Sequence, residues 1–107
     1  MLPKKNRAST KEVDKIFKDG KFITSSNLTF KYYKSSNKEV KISFIAPKSV
    51  AKLAVKRNLL RRHGYIALGK HLDQFPAGLV GAFVFKKYQE DISIIENEIK
   101  TILAKIN

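Results

Sequence analysis

Acid–base, nucleophilic or metal chemistry would have to come from few side chains here. The chain of 107 residues holds two histidines, nine Asp and Glu residues, and no cysteine. His63 and His71 are eight positions apart, and neither has a ligand partner at metal-binding spacing. Glu12, Asp14 and Asp19 sit among lysines on one short helical segment, where caps and ion pairs explain them. Glu90 and Asp91 read as a turn and a helix N-cap. There is no glycine-rich phosphate loop and no nucleophile elbow. A protein-based hydrolase needs convergent acids, bases or metal ligands, so no catalytic side chain and no metal ligand is expected on this chain.

Cations carry the stronger signal. Lys and Arg number 22, giving a formal charge of +13, and between Glu39 and Asp73 no acidic residue occurs. Lys41, Lys48, Lys52, Lys56, Arg57, Arg61, Arg62 and Lys70 all fall in that interval. One-sign crowding of this kind is relieved by a polyanion, because cations that neutralise phosphates release condensed counterions. Aromatic residues are interleaved with lysine in Phe30-Lys31-Tyr32-Tyr33-Lys34 and Phe83-Val84-Phe85-Lys86-Lys87-Tyr88. Rings beside cations are the ingredients of a single-strand groove, in which bases stack and phosphates are neutralised. Strand alternation turns Phe30, Tyr32, Phe83 and Phe85 toward a core and leaves Lys31 and Tyr33 for the groove.

The elements that must position these side chains follow from periodicity. Residues 1–11 form a basic arm with Lys4, Lys5, Arg7 and Lys11. Ser9 or Thr10 then caps a helix, with Glu12 placed for a capping box. That helix carries Val13, Ile16 and Phe17 on one face and ends at Gly20, which is suited to a left-handed C′ position. Phe22-Ile23-Thr24 reads as a short strand. Leu28, Phe30 and Tyr32 alternate in a second strand, and Val40, Ile42 and Phe44 in a third that is expected to pair antiparallel with the second across the turn at Ser35 to Lys38. Pro47 ends that strand.

Val50 to about Leu72 reads as helical, with Leu53, Leu60 and Ala67 on one stripe and Val55, Leu59 and Ile66 on another. Two stripes mean either that both sides are covered or that the helix starts later. Gly64 inside it costs about 1 kcal/mol relative to Ala. Leu79 to Phe85 reads as a buried strand. Asp91 caps a last helix whose apolar face is Ile92, Ile95, Ile99, Ile102, Leu103 and Ile106, with Glu96, Glu98, Lys100 and Lys105 on the solvated face. The order α-β-β-β-α-β-α predicts one α+β domain over residues 1–107, a sheet covered by helices.

The first residues lack the apolar stretch of a signal peptide, and the uncharged run Leu79 to Phe85 is too short to span a bilayer. No lipid anchor motif or continuous basic amphipathic helix suggests a membrane surface. A soluble, intracellular protein is expected, and the lack of cysteine fits a cytoplasmic location.

The run Lys48-…-Ala54-Val55-Lys56-Arg57-Asn58-Leu59-Leu60-Arg61-Arg62 resembles the protein component of bacterial ribonuclease P. The signature of that family is a Lys after a strand, then Ala-Val-x-Arg-Asn, then further basic positions. Arg7 with Val13-x-x-x-Phe17-x-x-Gly20 resembles the family's first helix, Ile42-x-Phe44 the strand before the motif, and Phe83-Val84-Phe85-Lys86 the last strand. The chain departs from the pattern at Leu59 and Tyr65, where the family often has Arg, and at Ser49, where it has a second Lys.

The resemblance implies an α-β sandwich with a left-handed β-α-β crossover. It also implies a protein that binds the large catalytic RNA of ribonuclease P and the 5′ leader of precursor tRNA. The RNA subunit, with the Mg²⁺ that it mainly holds, would cleave the leader from the tRNA, so the activity is that of the ribonucleoprotein. By position, Lys48, Lys52, Lys56, Arg57, Asn58, Arg61 and Arg62 would face the RNA subunit. Val13, Phe17, Lys31 and Tyr33 would line the leader cleft, with Lys86 near its edge. No obligate protein partner is implied. The competing expectation is a small structural RNA-binding protein of ribosomal type, which would not stimulate precursor tRNA cleavage.

Overall fold

Ser9 starts the first helix by the mechanism its sequence predicts. In the computed structural model, which describes residues 8–36 and 38–106, the Ser9 Oγ accepts from the Glu12 N–H at 3.3 Å. The Glu12 carboxylate accepts in return from the Ser9 N–H at 2.9 Å, which makes a full capping box over α1, Thr10–Asp19. Gly20 ends α1 in an extended conformation (φ −74°), not the left-handed one expected. Glycine is required there by close approach, since a Cβ would lie 2.3 Å from the Ile16 carbonyl oxygen. Lys4, Lys5 and Arg7 of the basic arm, and Asn37 of the turn, lie outside the described residues.

Four strands follow: β1 (Lys21–Thr24), β2 (Leu28–Lys34), β3 (Lys41–Ile45) and β4 (Leu79–Phe85). The expected β2–β3 hairpin does not form. The sheet order is β1-β2-β4-β3, with β4 antiparallel to β2 and parallel to β3. The reason lies in hydrophobicity. Residues 79–85 of β4 are buried on both faces except for half-buried Val84, so β4 takes a central position and displaces β3 to the edge.

The helix between β3 and β4, α2, spans Ala54–Gly69 and starts later than Val50. The Pro47 carbonyl closes a separate turn by accepting from the N–H groups of Val50 and Ala51. The Ala51 and Lys52 carbonyls are then taken by the Arg57 guanidinium. A short 3₁₀ turn, Leu72–Gln74, leads to β4, and Asp91 Oδ1 caps α3 (Ile92–Ile106) through the N–H groups of Ser93 and Ile94.

Alternation divides the layers. Leu28 and Phe30 of β2, Ile42 and Phe44 of β3, and Phe83 and Phe85 of β4 meet Leu60, Leu68, Ile95, Ile99 and Ile102 of α2 and α3 in the main core. Phe83 anchors it, stacked 4.3 Å from Phe30 and 5.0 Å from Phe44. On the opposite face, Ile16 of α1 packs on Val80 and Ala82.

Glu98 corrects the expected solvated face of α3. It is 9% exposed, and its carboxylate accepts from the backbone N–H and side-chain amide of Asn27, each at 2.7 Å, and from the Ser25 hydroxyl. Buried and fully bonded, it fixes the β1–β2 turn to α3. Glu96 is also engaged, with its carboxylate 2.8 Å from His71 Nε2.

Candidate nucleic-acid interface

On the face of the sheet that carries α1, strand register sets the floor of a candidate groove beside the helix, while Val80 and Ala82 lie beneath Ile16. Phe22 pairs with Lys31, Lys31 with Ala82, and Ala82 with Ser43, one row across all four strands. The adjacent row is Thr24, Thr29, Val84 and Ile45. With strands about 4.8 Å apart, each row spans about 14 Å. Helical spacing puts Val13 and Phe17 on one flank of α1, above this floor. Phe17 is 46% exposed and the Lys31 ammonium sits 4.8 Å from its ring centroid. That cation–π contact holds a charge and a ring edge at the mouth of the groove.

Of the cleft residues expected from the sequence, Val13, Phe17 and Lys31 come together and Tyr33 does not join them. Glu12 and Lys15 occupy the other flank of α1. Glu12 pairs with Lys41 at 3.3 Å, and the Lys15 ammonium lies 4.9 Å from the Tyr33 ring. Tyr33 therefore stands across the helix from Phe17. Burial raises the pKa of its hydroxyl, and the nearby Glu12 carboxylate adds to the rise against an opposing pull from Lys41. Burial also pushes the Glu12 carboxyl up, but the Ser9 hydrogen bonds and Lys41 outweigh it and hold the group below the ordinary carboxylate value.

Lys86 is exposed at the far end of the groove, donating to Thr24 Oγ1 at 2.9 Å and the Ser25 carbonyl at 3.1 Å. Phe22, 68% exposed, is a groove residue that sequence reasoning missed. Its signal was the opposite parity of Ile23, which packs against the core.

At the β3 edge the floor runs into α2. A cleft of about 490 Å³ is lined there by Ser43, Asn58, Arg61, Arg62 and Tyr65, together with Ala8 and Phe44. Asn58 Oδ1 accepts from Arg61 Nη2, which orients that guanidinium. Tyr65, at a position where Arg was the expected pattern, has a structural task. Its hydroxyl accepts from the Phe44 N–H of the edge strand at 3.2 Å, and its ring packs edge-on 5.2 Å from Phe44. Leu59 is half-buried on α2.

Lys48, Lys52, Lys56, Arg61 and Arg62 are exposed. None of them makes an ion pair among the described residues; Arg61 donates a hydrogen bond to the neutral Asn58 amide. Arg57 differs. Its Nη1 donates to the carbonyls of Ala51 at 3.0 Å and Lys52 at 2.7 Å, tying the loop before α2 to the helix. Leu53 at the N-cap makes no side-chain cap bond.

Among the described residues no three His, Asp or Glu side chains converge to hold a metal ion. No described helix is long and apolar enough to cross a membrane.

The fold is shared with solved ribonuclease P proteins. An RNase P protein from Staphylococcus aureus superposes with a TM-score of 0.80 at 15% identity, covering 97% of this chain and 98% of that one. An RNase P protein from Thermotoga maritima gives 0.82 at 17% identity, covering 94% and 97%. A further S. aureus structure, of an RNase P protein mutant described as defective in mRNA degradation activity, gives 0.81 at 16%, covering 95% and 90%. No curated protein sequence matches significantly. A family model described as Ribonuclease P matches residues 2–107. The chain belongs to the Ribonuclease P family.

Proposed function

We propose that this chain works as the protein subunit of a ribonuclease P ribonucleoprotein, gripping the catalytic RNA through α2 and the 5′ leader of precursor tRNA in the groove beneath α1. The observation that carries this reading is the partly exposed row Thr24–Thr29–Val84–Ile45 on the α1 face of the sheet, with the Phe17–Lys31 contact and exposed Phe22 beside it, while Ala82 in the neighbouring row is buried beneath Ile16. A single strand laid along this row meets the Phe22 and Phe17 rings and Lys31 at one end, and the Arg61–Arg62 cleft lies at the opposite, β3 edge of the sheet, so one protein can bridge leader and RNA subunit.

Mg²⁺, held by the RNA partner, would supply the activated water and charge stabilisation for hydrolysis of the phosphodiester at the tRNA 5′ end. The protein residues bind and orient. Phe17 and Phe22 stack leader bases, Lys31 and Lys86 neutralise leader phosphates, and Lys48, Lys52, Lys56, Arg61 and Arg62 neutralise phosphates of the RNA subunit. Arg57 and Asn58 hold that cationic face in shape.

The test is reconstitution with a ribonuclease P RNA at low Mg²⁺. The protein should raise cleavage of precursor tRNA and should cleave nothing without the RNA. Phe17→Ala and Phe22→Ala should each weaken binding of a long-leader precursor by about 5- to 160-fold, the range set by about 1–3 kcal/mol per stacked base, and Lys31→Ala should weaken it and flatten its salt dependence. Mature tRNA, which has no leader, should bind unchanged, and Tyr33→Ala should discriminate less than Phe17→Ala. Failure to stimulate cleavage refutes the reading, and an equal loss for both substrates removes the groove from it.

A further inference from the structure

Beside the loop that Arg57 secures, a second cavity of about 380 Å³ opens to the surface, lined by Ala51, Lys52, Leu53, Lys56, Tyr88 and Glu90. Its apolar wall is displayed to water: Leu53 is 63% exposed and Tyr88 41%. A leucine at a helix N-cap and a tyrosine at the end of a strand connection have no core to fill at those positions.

Hydrogen bonds tie down the residues around them. The Tyr88 hydroxyl donates to the Glu90 carboxylate at 3.0 Å, and the Glu90 carbonyl lies 2.6 Å from His63 Nδ1 on α2. The Ala51 and Lys52 carbonyls are bound by Arg57. The cavity is thus an open apolar cup with Lys52, Lys56 and Glu90 on its rim.

We propose that this cup receives one unpaired nucleotide of the RNA subunit, its base stacked on the Tyr88 ring against Leu53 and its flanking phosphates on Lys52 and Lys56. The assignment rests on the proposed partnership with that RNA. Charge complementarity selects the occupant. A polyanion with planar apolar faces satisfies both the exposed apolar wall and the lysine ammonium groups, and bases projecting from RNA loops offer both. A second copy of the chain would bring a formal +13 against another +13. The Glu90 carboxylate is engaged by the Tyr88 hydroxyl, which leaves the phosphates to the lysine side of the cup.

The experiment measures affinity of the full chain for ribonuclease P RNA at several salt concentrations, with thermal melting of each variant as a folding control. Tyr88→Ala should weaken binding about tenfold, a typical loss for one stacked base, without changing the salt slope. Tyr88→Phe should lose less than Tyr88→Ala, because the ring that stacks is kept and only the hold on Glu90 is lost; a Tyr88→Phe loss as large as that of Tyr88→Ala would overturn the stacking role. Leu53→Ala should give a smaller loss of the same kind, and its exposure keeps the fold intact. The Lys52→Ala, Lys56→Ala pair should weaken binding and flatten the slope, because it removes phosphate contacts.

If Tyr88→Ala and Leu53→Ala bind normally while Arg61→Ala and Arg62→Ala weaken binding, the cup is wrong and the RNA partnership stands. If no variant on α2 alters affinity, the partnership itself fails. Sedimentation of the native chain as a dimer that Tyr88→Ala disrupts, with RNA affinity unchanged, would assign the cup to self-association and overturn the proposal.

Discussion

Arg57 occupies the most basic stretch of the chain, yet its geometry separates it from its cationic neighbours. Replacing it with Ala removes two charge-assisted hydrogen bonds, to the Ala51 and Lys52 carbonyls at 3.0 and 2.7 Å. Hydrogen bonds to a charged group are worth about 1.5–3 kcal/mol each when sheltered. Lys52 is exposed and Arg57 half-buried, so both freed carbonyls recover some hydration. A combined loss of about 2 kcal/mol is the reasonable value.

A chain of 107 residues unfolds with an entropy of about 0.22 kcal/mol/K, so 2 kcal/mol lowers the melting temperature by about 9 °C. Arg61→Ala and Arg62→Ala remove exposed cations and should leave the melting temperature within about 2 °C, as surface substitutions do. In RNA binding the order reverses. Each of those two should reduce the slope of log affinity against log salt by about 0.7–0.9 for every phosphate left without its cation, and Arg57→Ala should leave the slope unchanged. The assays are differential scanning calorimetry and a salt titration of affinity for ribonuclease P RNA. An Arg57→Ala protein that melts like the native chain but binds RNA with a flatter slope would refute the structural assignment.

Gly64→Ala should destabilise the fold even though Ala favours helix by about 1 kcal/mol. The added Cβ would lie 2.5 Å from the Phe44 ring, which is fixed by stacking on Phe83 and by the edge contact of Tyr65. Overpacking of about 1–3 kcal/mol offsets and exceeds the helical gain, and denaturant unfolding reads the sign; a stabilised variant would show that Phe44 is free to move. Stability should also fall on acidification. The hydrogen bond from His71 lowers the Glu96 pKa, and Glu12 is lowered as described, both from an ordinary 4.5. Carboxylates lowered in the folded state contribute stability fully above that ordinary value and lose it as pH falls through the lowered folded values. Thermal melts from pH 7 to 3 should show the decline, and Glu12→Gln with Glu96→Gln should flatten it; parallel curves would remove these groups as its cause.

Local chemistry made much of this protein legible in its sequence. The Ser9–Glu12 capping box, the Asp91 cap, the alternation of β2 and β3 and the basic run on α2 each depend on residues a few positions apart, and each formed as the sequence predicted. The parity of β2 already placed Lys31 and Tyr33 opposite the core, and the Arg57-Asn58 motif pointed to the family.

The tertiary structure decided what depends on distant partners. Strand order followed from β4, whose two buried faces demanded the centre of the sheet and separated β2 from β3. Glu98 stands in the same helical stripe as Ile95 and Ile102, a position that 3.6-residue periodicity could have flagged. Its partners Ser25 and Asn27, 73 and 71 residues away, exist only after the turn docks. The side of α1 on which an aromatic residue falls depends on where Ile16 seats, and that separated Phe17 from Tyr33, while the β1–β2 register brought Phe22 beside Lys31. Arg57 and Arg61 are alike in sequence, but one guanidinium lies against two backbone carbonyls and the other faces solvent. Residue type set the charge of the surface, and packing determined which charges remain free to meet a phosphate.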